Sequence, residues 1–253
     1  MSTAQKLARI REIEEVAADA VPAAVVERLG GWRLRFNHGV KRRPNSVLAN
    51  AEDHLGVETK LAYAEAFYAS HGLRARFQLS PASVPEDLDA RLAARGYARV
   101  AESVCVQVAL LKDVLPTASD LTLLTKPTEA WLNLYCEVEG LTGIQAVALR
   151  DMLGKLPGEA VFALAGDREG RPAATGVGVS HGGLLGLFNI ATHPAVRRQG
   201  LGSAVVASLC RWGQKRGRSQ AYLQVSAGNT GAQRVYARLG FGTLYHYGYR
   251  EQP

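Results

Sequence analysis

The stretch that decides the fold is Asn189-Ile190-Ala191-Thr192-His193-Pro194-Ala195-Val196-Arg197-Arg198-Gln199-Gly200-Leu201-Gly202. It closes an apolar run that begins at Leu184 and leads into a helical pattern, in which Leu201, Val205, Leu209 and Trp212 recur at spacings of three and four. A strand that turns tightly into a helix gathers several backbone N–H groups around one point. With the positive end of the helix dipole they form an anion site. Gly200 and Gly202 let an anion approach the backbone, and Arg197 and Arg198 add positive charge at the rim. Two other phosphate motifs are excluded: there is no Gly-x-x-x-x-Gly-Lys-Ser/Thr, and no third glycine for a dinucleotide fingerprint.

Downstream, Gln220–Val225 alternates like a strand and Ser226-Ala227-Gly228 turns. A helix then carries Asn229, Ala232 and Tyr236 on one face and ends at Leu239-Gly240-Phe241. With the two motifs in this order, the sequence resembles the GNAT superfamily of N-acetyltransferases. Arg197-x-x-Gly200-x-Gly202 is similar to that family's pyrophosphate loop, and Asn229-x-x-Ala232-x-x-x-Tyr236-x-x-x-Gly240-Phe241 to its second signature. The resemblance is close over about the last 75 residues and loose over about 120–183.

The resemblance implies an α/β (α+β) fold, a mixed and mostly antiparallel sheet flanked by helices. Two parallel strands splay apart in it, here Leu184–Thr192 and Gln220–Val225, and the pantetheine arm of acetyl-CoA enters the gap like an added strand. Acetyl-CoA is then the co-substrate, and no metal is expected. The backbone of Ile190, Ala191 and Thr192 would face the arm. Arg197, Arg198, Gln199, Gly200, Leu201, Gly202 and Ser203 would cradle the diphosphate, and Asn229 would bond the arm from the other side. Tyr236 would touch the cofactor and act as general acid toward the leaving thiolate; its alternative reading is an aromatic core contact on an amphipathic helix.

The base is open. Many relatives carry a carboxylate on the strand before the phosphate loop, where this chain has Asn189, and an amide cannot take a proton. Glu137, Glu139, His193 or water are the candidates, against solvated helix charges for the two glutamates and a turn cap for His193. Tyr245, His246, Tyr247 and Tyr249 alternate in a way that suits either an acceptor pocket or a half-buried strand. The implied function is acetyl-CoA-dependent N-acetylation of the primary amine of a small molecule by direct attack. The alternative is a CoA-binding sensor or interaction module without catalysis.

At 253 residues the chain is one large domain or two small ones, and 47% hydrophobic with 21% charged residues suits a globular protein with a sizeable core. Residues 1–15 are charged and amphipathic, unlike a signal peptide, and no apolar run approaches a membrane span. Cys105, Cys136 and Cys210 are few, odd in number and far apart, which fits buried thiols in a reducing cytoplasm. The net charge of +7 permits a nucleic-acid surface, but the basic residues are scattered. Arg211, Lys215, Arg216 and Arg218 gather where a cationic helix end complements the dipole. The expected partners are therefore acetyl-CoA and a small amine, with no nucleic acid and no membrane; a homodimer is compatible with the chain.

In chain order, residues 4–30 read mostly as helix interrupted at Pro22, and Trp32–Phe36 as strand. Val47–Leu48 reads as strand, 57–70 as helix, Arg74–Leu79 as strand, a helix opens at Pro85, and a long strand spans Tyr97–Leu111. Leu115–Asp120 reads as a linker, dividing the chain into 1–115 and 116–253. In the second part a strand at Leu121–Leu124, two helices and a three-strand meander with a hairpin turn at Gly182-Gly183 precede the phosphate loop. Gln78 and Gln224 lie 146 apart, and Gly96 and Gly240 lie 144 apart. A near-constant offset suggests an internal duplication, with the first half a degenerate GNAT-like repeat that has lost both motifs. The bland alternative is that any βαβαβ unit shows this much likeness.

Overall fold

The computed structural model of the protein describes residues 1–115 and 121–253. Of the stretch read as a linker, 116–120 lies outside the described residues. The chain forms two compact units. The first comprises Met1–Cys105, Ser226–Gly228 and Tyr245–Pro253, and the second Val106–Val225 and Asn229–Leu244. The single cut drawn between 115 and 116 is thus replaced by units that trade segments.

In the first unit, helix α1 (Thr3–Asp19) opens with a capping box between Ser2 and Gln5 and buries Ile10 and Ile13 completely. The helix expected to continue toward residue 30 does not. Pro22 removes a backbone donor, Val25 and Val26 are β-branched, and Val25–Leu29 forms strand β1. It pairs antiparallel with β2 (Trp32–Phe36) across Gly30-Gly31. Gly31 is obligatory there, since a Cβ would stand 1.8 Å from the Ala51 carbonyl oxygen. Strand β3 (Val47–Ala49) pairs antiparallel with β2, helix α2 (Val57–Ser70) follows, and β4 (Arg76–Leu79) runs parallel to β3. After helix α3 (Leu88–Ala94), the long strand expected over 97–111 is two: β5 (Ala98–Arg99) and β6 (Val104–Leu110). The C-terminal residues Gly248–Glu251 complete this sheet, antiparallel to β4.

Two polar devices hold this unit. In the loop between β3 and α2, the Asp53 carboxylate accepts from Lys60 Nζ and from the backbone N–H of Gly31 and Leu55, each at 2.7 Å. Lys60 also lies 4.7 Å from the Trp32 ring centroid. Deeper in, Glu14 is buried and accepts from the Tyr245 hydroxyl and Gln78 Nε2, each at 2.6 Å, while Gln78 Oε1 accepts from Arg35 at 2.9 Å. Burial raises the Glu14 carboxyl above the usual range. Tyr245, Tyr247 and Tyr249 are all buried among these groups, so their alternation is that of a strand facing this interior.

In the second unit, strand β7 (Thr122–Leu124) precedes helices α4 (Glu129–Glu139) and α5 (Ile144–Gly154). Then come β8 (Glu159–Gly166), β9 (Pro172–His181) and β10 (Leu184–Thr192), an antiparallel meander. Gly182 and Gly183 have φ of 54° and 79°, the two left-handed residues a tight hairpin needs. Helix α6 (Leu201–Lys215) packs on this meander through buried Val205, Leu209 and Trp212. Strand β11 (Gln220–Ser226) runs parallel to β10, helix α7 (Thr230–Arg238) follows, and β6 lies beside β11. The last strand, β12 (Gly242–Glu251), starts in this unit and belongs to the first from Tyr245 on.

Both units follow one path: three antiparallel strands, a helix, a strand parallel to the third, and a helix. The strand orders β1-β2-β3-β4 and β8-β9-β10-β11 correspond position by position, as a duplication of the kind suggested by the offsets requires. Among the described residues no helix is long and apolar enough to cross a membrane, and no group of three or more His, Cys, Asp or Glu could hold a metal ion. Cys105 and Cys210 are buried, and burial pushes the Cys210 thiol up to about 12.

The Asp53 clasp has a pH signature. The hydrogen bond from Lys60, then that from Gly31, lowers its pKa from 3.8 to about 2. A depressed carboxylate contributes stability that is present above its unfolded value and fades as pH falls toward the folded one. Urea unfolding between pH 5 and 2 should show this acid-side loss in the native protein and a smaller one in Asp53→Asn. The variant should also be weaker at neutral pH, because Lys60 is left buried without its carboxylate.

Candidate active site

The site starts from one extra residue. Along β9 and β10 the register pairs Phe188 with Val177 and then Ala191 with Thr175, so Asn189 and Ile190 together oppose Gly176. Asn189 stands at φ 51°, in the left-handed region where asparagine is among the few side chains tolerated. This β-bulge shifts the alternation of the strand. Ile190 turns toward α6, and its Cδ1 lies 2.7 Å from where a Cβ on residue 176 would stand, with Val205 Cγ1 at 2.5 Å. Gly176 is therefore glycine because the bulge drives Ile190 over it. The Thr175 hydroxyl donates to the Asn189 carbonyl at 3.1 Å.

Beyond the bulge the two parallel strands part. Pairing between β10 and β11 covers Leu185–Leu187 against Ala221–Leu223, and each strand continues past it, β10 to Thr192 and β11 to Ser226. The expected splay is thus present, and Ile190, Ala191 and Thr192 lie on the diverging arm of β10.

The loop that follows is shaped by its own polar groups. His193 Nδ1 accepts from the Ala195 N–H at 3.3 Å, and Arg197 Nε donates to the Thr192 carbonyl at 3.2 Å. Arg198 and Gly200 take φ of 63° and 84°, positive angles of the kind found in anion-binding nests. Gly200 caps α6 with no side chain to satisfy the first amides of the helix, those of Leu201, Gly202 and Ser203. A Cβ on Gly200 would meet nothing within 4 Å, so its need is conformational, and the space before the helix end is open. A Cβ on Gly202 would come within 3.3 Å of Thr192 Oγ1. These donors suit a diphosphate.

Asn229 is the N-cap of α7 and not part of the helix; its Oδ1 accepts from Ala232 N–H at 3.1 Å, which leaves the Nδ2 donors for a ligand. Tyr236, two turns on, is buried with its ring edge-on to Phe241, and burial pushes the phenol up to about 12. Of the candidate bases, His193 and Glu137 are brought together, Nε2 to Oε1 3.2 Å. Because Nδ1 accepts from Ala195, the Nε2 proton points at Glu137, and the imidazole lone pair is committed to the turn. Glu137 is two-thirds exposed, with 67% of its side chain accessible. Arg216 stacks on Trp212 at 4.1 Å and pairs with Glu159 at 2.5 Å, so this part of the basic cluster serves its own helix end.

The comparisons with known proteins show the family and the fold. The family described as "Probable histone acetyltransferase Rv0428c C-terminal" matches residues 7–250. The chain belongs to this family of GNAT N-acetyltransferases. An "Uncharacterized N-acetyltransferase YobR" of Bacillus subtilis is 32% identical over 247 residues, covering 95% of this chain and 98% of its own. Among solved structures, a GCN5-related N-acetyltransferase from Kribbella flavida superposes with a TM-score of 0.72 at 17% identity, covering 96% of this chain and 95% of its own. A tandem GNAT protein from the clavulanic acid biosynthesis pathway gives a TM-score of 0.65 at 15% identity over 99% of this chain and 95% of its own. Both structures share the fold, and the second carries it in tandem.

The bulge at Asn189 explains what sequence reasoning missed. Asn189 reads as a lost carboxylate, whereas the strand requires a residue that accepts φ 51°. Thr175 carried no motif at all; the glycine beside it was the available signal. Asn189→Gly should stay within about 0.5 kcal/mol of the native stability, while Asn189→Val, β-branched at positive φ, should cost about 1–3 kcal/mol. Denaturant midpoints of the two variants check this.

Proposed function

We propose that the protein transfers the acetyl group of acetyl-CoA to the primary amine of a small molecule by direct attack. The observation that supports this reading best is the parting of β10 and β11 beyond Leu187 and Leu223, next to a helix start whose amides have no side-chain cap. A thioester-bearing arm fits the gap as an added strand, with its diphosphate on the Arg197–Ser203 amides. Asn229 Nδ2 bonds the arm from the other side.

In the step itself the neutral amine attacks the thioester carbonyl carbon. The oxygen gains negative charge, which a backbone N–H of β10 stabilises. The C–S bond then breaks, the sulfur takes the Tyr236 proton, and the amine nitrogen loses its own proton to water or to Glu137. The phenol has the right protonation state for this task, since a pKa of about 12 keeps it a donor throughout the working range. A commitment of the His193 lone pair to Ala195 argues for Glu137 or water in the other role.

Tyr236→Phe should lower kcat by about 10²-fold with CoA affinity unchanged. In the native enzyme kcat/KM should rise with pH as the acceptor amine deprotonates and should not fall again below pH 10, because the phenol titrates near 12. Thiol release measured over a panel of small amines and a lysine peptide tests both points. CoA binding without turnover on any acceptor would instead favour the sensor reading. An unchanged kcat in Tyr236→Phe would return that ring to the core.

A further inference from the structure

A bulge leaves part of a strand's ladder unpaired, and something must satisfy it or the strand slips back into register. Here the exposed point is the Asn189 carbonyl. Thr175 is fully buried, sits on β9 next to Gly176, and donates its hydroxyl to that carbonyl at 3.1 Å. The same residue is the Cα partner of Ala191, the first pairing after the bulge. Below the bulge, five pairs from Leu184 to Phe188 hold regular register; above it, Ala191 and Thr192 pair with Thr175 and Ala174, and His193 N–H donates to Ala173 at 2.9 Å. Thr175 therefore stands where one register ends and the other begins.

We infer that Thr175 is a positioning residue for acyl-CoA binding: its hydroxyl locks the bulge at Asn189 and so fixes the direction in which the arm of β10 leaves β11. This inference rests on the acetyl-CoA reading above. The chemistry is a single neutral hydrogen bond from a fully buried hydroxyl to the carbonyl of a half-buried residue. Valine fills the same volume as threonine but has no donor, so Thr175→Val strands that carbonyl without opening a cavity. The alternative alignment that relieves the stranded carbonyl would remove the extra residue's offset. Asn189 and Ile190 would exchange faces, driving the β10 amides away from the gap. The effect of the hydroxyl therefore falls on cofactor binding, and the reacting atoms are reached only through it.

Thr175→Val and Thr175→Ser are compared with the native protein. KM for acetyl-CoA should rise roughly five- to twentyfold in Thr175→Val with kcat changed less than about threefold, and Thr175→Ser should restore it to within about twofold. If Thr175 merely filled the core, valine would replace it without loss, only Thr175→Ser, which lacks the methyl group, would lower the thermal midpoint, and KM would be unmoved in both. Amide hydrogen exchange over Asn189–Thr192 is followed in the ligand-free proteins as well. It should accelerate in Thr175→Val and not in Thr175→Ser. Equal exchange in all three proteins overturns the inference whatever the kinetics. If native protein shows no binding of CoA by calorimetry, the acetyl-CoA reading falls and with it the link from Thr175 to cofactor binding; the exchange comparison then decides the anchoring of the bulge alone.

Discussion

One inserted residue in β10 is the constraint on which the site depends. A strand with strict period-two alternation would keep β10 beside β11 to its end and would leave no gap. The bulge at Asn189 breaks that alternation once. It sends Ile190 onto the α6 side, demands glycine at 176, and is compatible with an asparagine at φ 51°. The same irregularity redirects the final residues of β10, so that the turn into α6 starts from a strand already leaving its neighbour. The turn into α6 and the gap are thus two results of one local event, and neither is a feature of the loop sequence alone.

The first unit carries the same path with a different loop. Between β3 and α2, the place that corresponds to the turn from β10 into α6, the chain sets a carboxylate. Asp53 takes the backbone N–H of Gly31 and Leu55 and the Lys60 ammonium. Both helices start from a glycine N-cap without a side-chain cap, Gly56 for α2 and Gly200 for α6, so the difference lies in the loop: arginines stand before α6, and a carboxylate paired with a buried lysine stands before α2. A diphosphate before α2 would meet the like charge of Asp53. The first half lacks the Arg-x-x-Gly-x-Gly pattern, so the likeness of the two units is visible in topology more clearly than in residues.

Much of this was legible in the sequence because its signals were local. The helix at 57–70, the strand at Trp32–Phe36, the Gly182-Gly183 hairpin and the run from Leu184 through Gly202 each carry their own periodicity or turn chemistry. What was hidden depends on partners far away in the chain. Val25–Leu29 looked helical until Trp32–Phe36 gave it an antiparallel neighbour. Tyr245, Tyr247 and Tyr249 suited a pocket lining and a half-buried strand alike, because nothing nearby announces that Glu14, 231 positions earlier, will meet Tyr245. Asn189 looked like a missing base because a φ angle cannot be read from one letter.

The buried polar interior of the first unit also bears on how the chain can be divided. Replacing a buried, hydrogen-bonded carboxylate by apolar groups is often neutral, so Glu14 is weak support for stability as such. Its value is in register: one oxygen is bound by Gln78 on β4 and the other by Tyr245, and Arg76 and Glu251 pair at 2.6 Å further along the same two strands. These contacts fix which residues of β12 oppose β4, and a one-residue slip would put the tyrosines on the wrong face. The C-terminal strand is thereby specified as part of the first unit's sheet, just as Val106 onward is part of the second's. No single cut in the chain leaves both units complete, so they are units of architecture without being units of separate expression.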